Sequence, residues 1–175
     1  EGDPMVDDGL EYLWGVTYFD ANGQREFIDF WAHDHQQEKE AFKAFIEWAY
    51  QRWIEHPDLH IYHYAHYEIA ACRRLMGRYG VCEYEVDQLL RNEVFVDLYA
   101  VVRNGLRVGE PKYSIKNIEH LYRGKRDTEV ANGGDSVVVY ESWRENPDGQ
   151  TWQTSKVLND IREYNRDDCD STQEL

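Results

Sequence analysis

Between Glu11 and Phe19 the chain reads EYLWGVTYF, turns polar at DANGQ, and returns to aromatic and β-branched character at REFIDFWA. Strand-forming runs on either side of Asn-Gly turn chemistry predict a β-hairpin. The period then changes. In QQEKEAFKAFIEWAYQRWIEH, Phe42, Phe45, Ile46, Ala49 and Trp53 recur at helical spacing and Pro57 stands just past the end, so an amphipathic helix follows the hairpin. LHIYHYA is short and apolar. It runs into YEIAACRRLMGRYG, where Ile69, Cys72, Leu75, Met76 and Tyr79 share a helical interval ahead of Gly80. A strand here delivers its last residues to the start of a helix, and EVFVDLYAVV repeats that arrangement. Ser114 is the expected N-cap of a helix over IKNIEHLY. GKRDTEVANGGD reads as a polar loop, SVVVYESW as a helix, and a last helix is expected from about Ser155 to the end. Strands that precede and alternate with helices place the chain in the α/β or mixed class.

Composition narrows what such a fold could be for. A chain of 175 residues, 42% hydrophobic and 14% aromatic, can bury a proper core. The expectation is one domain over residues 1–175. No apolar run approaches the roughly 20 residues of a membrane span and no basic-then-apolar leader is present, so a soluble chain with no membrane partner is expected. Cys72, Cys82 and Cys169 form an odd set without a C-x-x-C pair, which fits a reducing cytoplasm better than a disulfide framework. With 34 acidic against 19 basic residues the net charge is -15, which argues against an autonomous, tight binder of a polyanion. It leaves room for a metal-dependent enzyme acting on one. The opening on Glu1 and a close at STQEL, inside a predicted helix with no stop signal, read as a fragment of a larger protein.

Within the last predicted helix, EYNRDDCDST carries three aspartates. At about 100° per residue, the apolar stripe of Val157, Leu158, Ile161, Tyr164 and Leu175 centres near ~40° from Tyr164, and Asp168 falls at ~40° too. Asp167 lies about 100° and Asp170 about 160° from that centre, so both read as surface charge. A carboxylate on a core-facing stripe loses several kcal/mol of hydration unless it is protonated, paired or bound to metal. Glu1, at the start of the fold, and Glu68, at a strand-to-helix junction, could converge with Asp168 at one edge of a sheet. Such an oxygen-rich cluster suits Mg²⁺ or Mn²⁺, and two such ions suit phosphoryl displacement.

In order and spacing these residues resemble the ribonuclease H-like exonucleases of the DnaQ or DEDD superfamily. Tyr164-Asn-Arg-Asp-Asp168 is similar to the closing motif of the tyrosine subtype. HYAHYEIAACRRL, VFVDLYAVV, YSIKNIEHLY and YNRDDCDST together resemble the branch of predicted RecB-family nucleases that are often fused to helicases. The resemblance covers nearly the whole chain and implies a ribonuclease H-like fold with a mixed central sheet flanked by helices. It implies Glu1 as the second acid of D-x-E, Glu68 as the middle acid, Asp168 as the last metal ligand, Tyr164 as the residue that orients the attacking water, and Asp97 as a supporting acid. It also implies two Mg²⁺ or Mn²⁺ ions, 3′→5′ release of nucleotides from single-stranded DNA or from RNA, a repair or recombination role, and a helicase or RecB-like region in the parent protein. Two departures stand out. The first acid of D-x-E would lie two positions before Glu1, and Tyr64-Ala-His-Tyr67-Glu68 stands where the family usually has Asn-x-x-Phe-Asp.

Other features have plainer readings. His60 and His63 would point to opposite faces of a strand, which disfavours a zinc site. Arg73, Arg74 and Arg78 on one helix, and Arg123, Lys125 and Arg126 in a loop, could meet phosphates or could balance the many acids. The competing function, from a different class, is a ribonuclease H-like module that has lost catalysis and serves for docking or for guiding nucleic acid.

Overall fold

The chain enters along β1 (Gly2–Asp3), turns back at Gly9 in the left-handed region (φ 71°), and pairs antiparallel with β2 (Leu10–Glu11). Within the computed structural model, which describes residues 1–124 and 133–175, the predicted hairpin follows as β3 (Leu13–Phe19) and β4 (Arg25–Trp31). Its register runs from Leu13 opposite Trp31 to Phe19 opposite Arg25. The Asp20 carboxylate accepts the Asn22 and Gln24 N–H groups, which closes the turn.

The predicted helix is α1 (His35–Glu55), opened by Asp34, whose side chain accepts the Gln37 N–H at 2.7 Å. β5 (Ile61–His63) leads into α2 (Tyr67–Tyr79), ended by Gly80 in the left-handed conformation that glycine adopts without steric cost. α3 (Glu83–Arg91) was not expected from the sequence. It is short, and it starts at Cys82, itself left-handed and making no side-chain cap, so its only start signal is the pair Glu83 and Glu85 in the first turn. Val86 and Leu89 bury its one apolar face. β6 (Phe95–Asp97) pairs parallel with β5 and runs into α4 (Leu98–Gly105), as predicted.

Ser114 does precede a helix, α5 (Ile115–Ile118), but that helix gives way to a 3-10 turn over Glu119–Leu121. The Ser114 hydroxyl lies 2.7 Å from Asn117 Oδ1 instead of accepting a backbone N–H. α6 (Gly133–Glu145) starts within the segment read as a loop, whose residues 125–132 lie outside the described residues. α7 (Lys156–Glu174) is the predicted last helix, capped by Ser155, which accepts the Leu158 N–H at 3.0 Å. Among the described residues no helix is long and apolar enough to cross a membrane.

Strand alternation sends neighbouring residues of β3 to opposite faces, and helices cover both. On one face Trp14 joins Phe42, Phe45 and Ile46 of α1 with Leu75 of α2 and Val86 of α3. On the other, Leu10 and Leu13 join Tyr140 of α6 with Leu158 and Ile161 of α7. Each fully buried Phe, Leu or Ile contributes about 1.5–3 kcal/mol. This two-sided cover on a mixed set of short strands is the α/β architecture expected, with the strands paired two by two among the described residues.

Two buried acids tie α2 to this frame. Glu11 accepts the Tyr67 hydroxyl at 2.8 Å and pairs with Arg74. Glu38, wholly buried on α1, accepts the Glu11 N–H at 2.5 Å, Arg78 Nη1 at 3.0 Å and the Tyr79 hydroxyl. Buried carboxylates cost several kcal/mol unless paired, and here α2 supplies the charged partners, Arg74 and Arg78, to acids on β2 and α1.

Candidate active site

β5 and β6 end side by side, with His63 opposite Asp97. The chain then leaves β5 through Ala65, held at φ 72°, and enters α2 so that Glu68 stands in its first turn. Asp97 fixes this turn. Its Oδ1 accepts the Ala65 N–H and the Tyr99 N–H, both at 2.9 Å, so one oxygen caps α4 and pins the end of β5. His63 Nδ1 lies 2.6 Å from the Ala65 carbonyl and 3.6 Å from Glu68 Oε2. Burial works against the charged imidazole, but the nearby Glu68 carboxylate, the Ala65 carbonyl and the Asp97 charge outweigh it, so the His63 pKa rises above its ordinary value. Glu68 Oε2 is buried and makes no hydrogen bond, although the side chain as a whole is 41% exposed.

α7 brings the other candidates. Leu158, Ile161, Tyr164 and Asn165 bury its inner face, and Gly15 of β3 lets the helix approach, since a Cβ there would collide with the Asn165 side chain and with Phe27. Tyr164 is buried. Its oxygen accepts from Lys116 Nζ at 2.5 Å, and the same ammonium sits 4.5 Å from the ring centroid. Asp168, one turn further, is half-buried, and its carbonyl accepts the Thr172 hydroxyl.

Burial first, then the charges of Asp168, Asp170 and Glu68, push the Cys169 pKa up. α7 packs against β3 and against β5, the strand that leads into α2, and the Cys169 thiol donates to the Gly15 carbonyl at 3.4 Å. Glu1 is laced to β3 through its backbone, its nitrogen donating to the Leu13 carbonyl at 2.7 Å. Its carboxylate accepts the Ser136 hydroxyl at 3.2 Å, and Ser136 also meets Tyr12.

Carboxylate oxygens are the donors a hard divalent cation takes, and Glu68 Oε2 has unused acceptor capacity. Among the described residues, however, no three acid, His or Cys side chains stand close enough together to hold a metal ion. α7, which carries Asp168, packs against β5, which leads to the turn of Glu68, whereas the Glu1 carboxylate is engaged by Ser136.

Asp167 and Asp170, read from the helical wheel as surface charge, are both partnered. Asp167 Oδ1 accepts Arg123 Nη2 at 2.8 Å; Asp170 Oδ1 accepts the Thr17 hydroxyl at 2.7 Å, and its Oδ2 lies 3.9 Å from Arg25. α7 lies against the hairpin on one flank and the Arg123 segment on the other, so its sideways positions meet protein and not water. Lys125 and Arg126 of the predicted basic loop lie outside the described residues. Lys116 and the left-handed Ala65 were missed. Lys116 lies 48 residues from Tyr164, and no local pattern signals a contact of that range.

Residues 1–175 match the RNase_H_2 family model of the RNase_H superfamily, so the chain belongs to that family and has an RNase H-like fold. No curated protein and no solved structure matches it. Membership points to nuclease action on nucleic acid, hydrolysing phosphodiester bonds, in a superfamily whose nucleases generally use divalent metals.

Proposed function

We propose that the chain is a metal-dependent 3′→5′ exonuclease domain that acts on single-stranded DNA in repair or recombination, within a protein that also carries a helicase or RecB-like region. The observation that carries this reading is the packing of α7, with Asp168 one turn from the buried Tyr164, against β5, the strand that leads to Glu68, in an RNase H-superfamily domain. Glu68 and Asp168, together with Glu1 and the acid expected two positions before it, would hold Mg²⁺ or Mn²⁺. Bound divalent ions supply acidified water and neutralise charge on the phosphoryl oxygens. The chain's own contribution is positional. Lys116 is a donor only, so it fixes the side from which Tyr164 accepts and orients the phenol that would hold the water. His63 and Asp97 hold the turn that carries Glu68.

A second reading, a ribonuclease H-like docking or nucleic-acid-guiding module without catalysis, draws on a different observation. The Glu1 carboxylate is directed to Ser136, and no three donors converge among the described residues.

The two separate in one experiment. The chain, extended upstream of Glu1 to include the D-x-E aspartate, is given Mn²⁺ or Mg²⁺ and end-labelled single strands, with Asp168→Asn as control. Metal-dependent shortening from the 3′ end that Asp168→Asn reduces by at least a hundredfold is expected. No shortening, or equal shortening by the variant, leaves the docking module.

A further inference from the structure

α2 carries three arginines, and two are committed to the frame. Arg74 pairs with Glu11 and Arg78 with Glu38, both buried acids. Arg73 is exposed and, among the described residues, has neither an ion-pair partner nor a side-chain hydrogen bond. In a chain with 34 acids to 19 bases that is unusual, and most of its other described arginines hold acid partners.

Arg73 faces a cavity of about 610 Å³ between α2, the end of α3, β6 and α4. That volume lies in the range that takes a small organic ligand. Ile69, Leu90 and Phe95 give it an apolar wall, while His60 and Asn92 join Arg73 as polar groups. Glu93, held left-handed at φ 55°, and Asp97 also line it, so Arg73 is the lining cation that a phosphate would meet. The cavity adjoins the candidate site through shared elements, since Ile69 follows Glu68 and Asp97 belongs to both.

We propose that this cavity is a strand-binding subsite that takes one nucleotide unit of a single-stranded nucleic acid, its phosphate on Arg73 and its base against Phe95. The proposal rests on the nuclease reading above, because it places the strand leading away from the bond to be cut. Bases stack on an aromatic face with little regard to sequence, so the subsite serves any strand. An arginine on a phosphate contributes a salt-dependent, sequence-independent contact.

The test is fluorescence anisotropy with a labelled 12-nucleotide single strand of DNA, and its RNA equivalent, in EDTA so that nothing is cleaved. Arg73→Gln should weaken binding roughly tenfold and lower the slope of log K against log salt by about 0.7, the signature of one lost phosphate contact on a single strand. Ala100→Phe, which fills the cavity from α4, should weaken binding without changing the slope. Arg91→Gln, whose guanidinium pairs with Asp87 and does not line the cavity, should leave both unchanged. Wild-type affinity and slope in Arg73→Gln, or no binding by the wild type, would overturn the subsite. Hydrolysis measured alongside separates the two proposals. Intact binding in Arg73→Gln with hydrolysis lost in Asp168→Asn removes the subsite and leaves the nuclease. Weakened binding in Arg73→Gln with no metal-dependent hydrolysis by the wild type does the reverse.

Discussion

Asp97 Oδ1 accepts the backbone N–H of Ala65 at 2.9 Å across the ends of two parallel strands, and the same oxygen caps α4 through Tyr99. One carboxylate thereby sets both the start of a helix and the turn that aims Glu68. Asp97→Ala removes both bonds together. Loss of such a cap costs about 1–2 kcal/mol, so the urea midpoint should fall by that equivalent. Hydrolysis, measured where the variant is still folded, should fall further than the unfolded fraction explains. An unchanged midpoint would contradict the role given to Asp97.

Ala65 itself sits at φ 72°, in the left-handed region. That conformation costs an L-residue roughly 1–2 kcal/mol, and glycine avoids the cost while losing about 0.5–1 kcal/mol through its freer unfolded chain. Ala65→Gly should therefore gain about 0.5–1 kcal/mol, seen as a higher melting temperature. A lower one would mean that the Ala65 methyl group packs more strongly than its backbone is strained.

These two residues also mark the boundary of what the sequence carries. The hairpin, α1, α2, α4 and α7 were legible because each has a clean period and a local start or stop signal, such as the Asn-Gly turn, Pro57, Gly80 and Ser155. α3 was not, because only Val86, Leu89 and Leu90 of its nine residues are aliphatic and it has no side-chain cap. The helical wheel assigned Asp167 and Asp170 to water, and both instead meet protein. A wheel knows the helix but not what lies along its flanks, and Arg123 and Thr17 arrive there from distant parts of the chain. Lys116 on Tyr164 and Glu38 under Arg78 were invisible for the same reason.

His33 should give the fold a pH dependence. It lies under α6, with Nδ1 2.9 Å from the Tyr140 hydroxyl and its ring 4.6 Å from that of Trp143. Burial pushes its pKa below the ordinary 6.5; Asp34 opposes this and Arg144 adds to it. The unfolded chain therefore takes up a proton that the folded one resists. Stability from this residue is fully present above pH 6.5 and is lost as pH falls through the folded pKa. Denaturation curves from pH 7.5 to 5 should show the decline, and His33→Gln should flatten it. An identical decline in His33→Gln would assign the effect to another group.

Glu38 offers the sharpest test of what holds α2 in place, and with it Glu68. Its side chain is 0% exposed, whereas that of Arg78 is 22% exposed. Breaking a buried pair by removing one member typically costs 3–5 kcal/mol. Arg78 keeps some access to water, so Glu38→Gln should cost less, about 2–3 kcal/mol. The glutamine oxygen can still accept the Glu11 N–H now bound at 2.5 Å. Glu38→Leu removes that acceptor as well and leaves a buried N–H unpaired, which adds about 1–3 kcal/mol. The expected order of urea midpoints is wild type above Glu38→Gln above Glu38→Leu. If Glu38→Leu were as stable as Glu38→Gln, the Glu11 bond would contribute nothing, and the link from α1 through β2 to α2 would rest on Arg78 and Tyr79 alone.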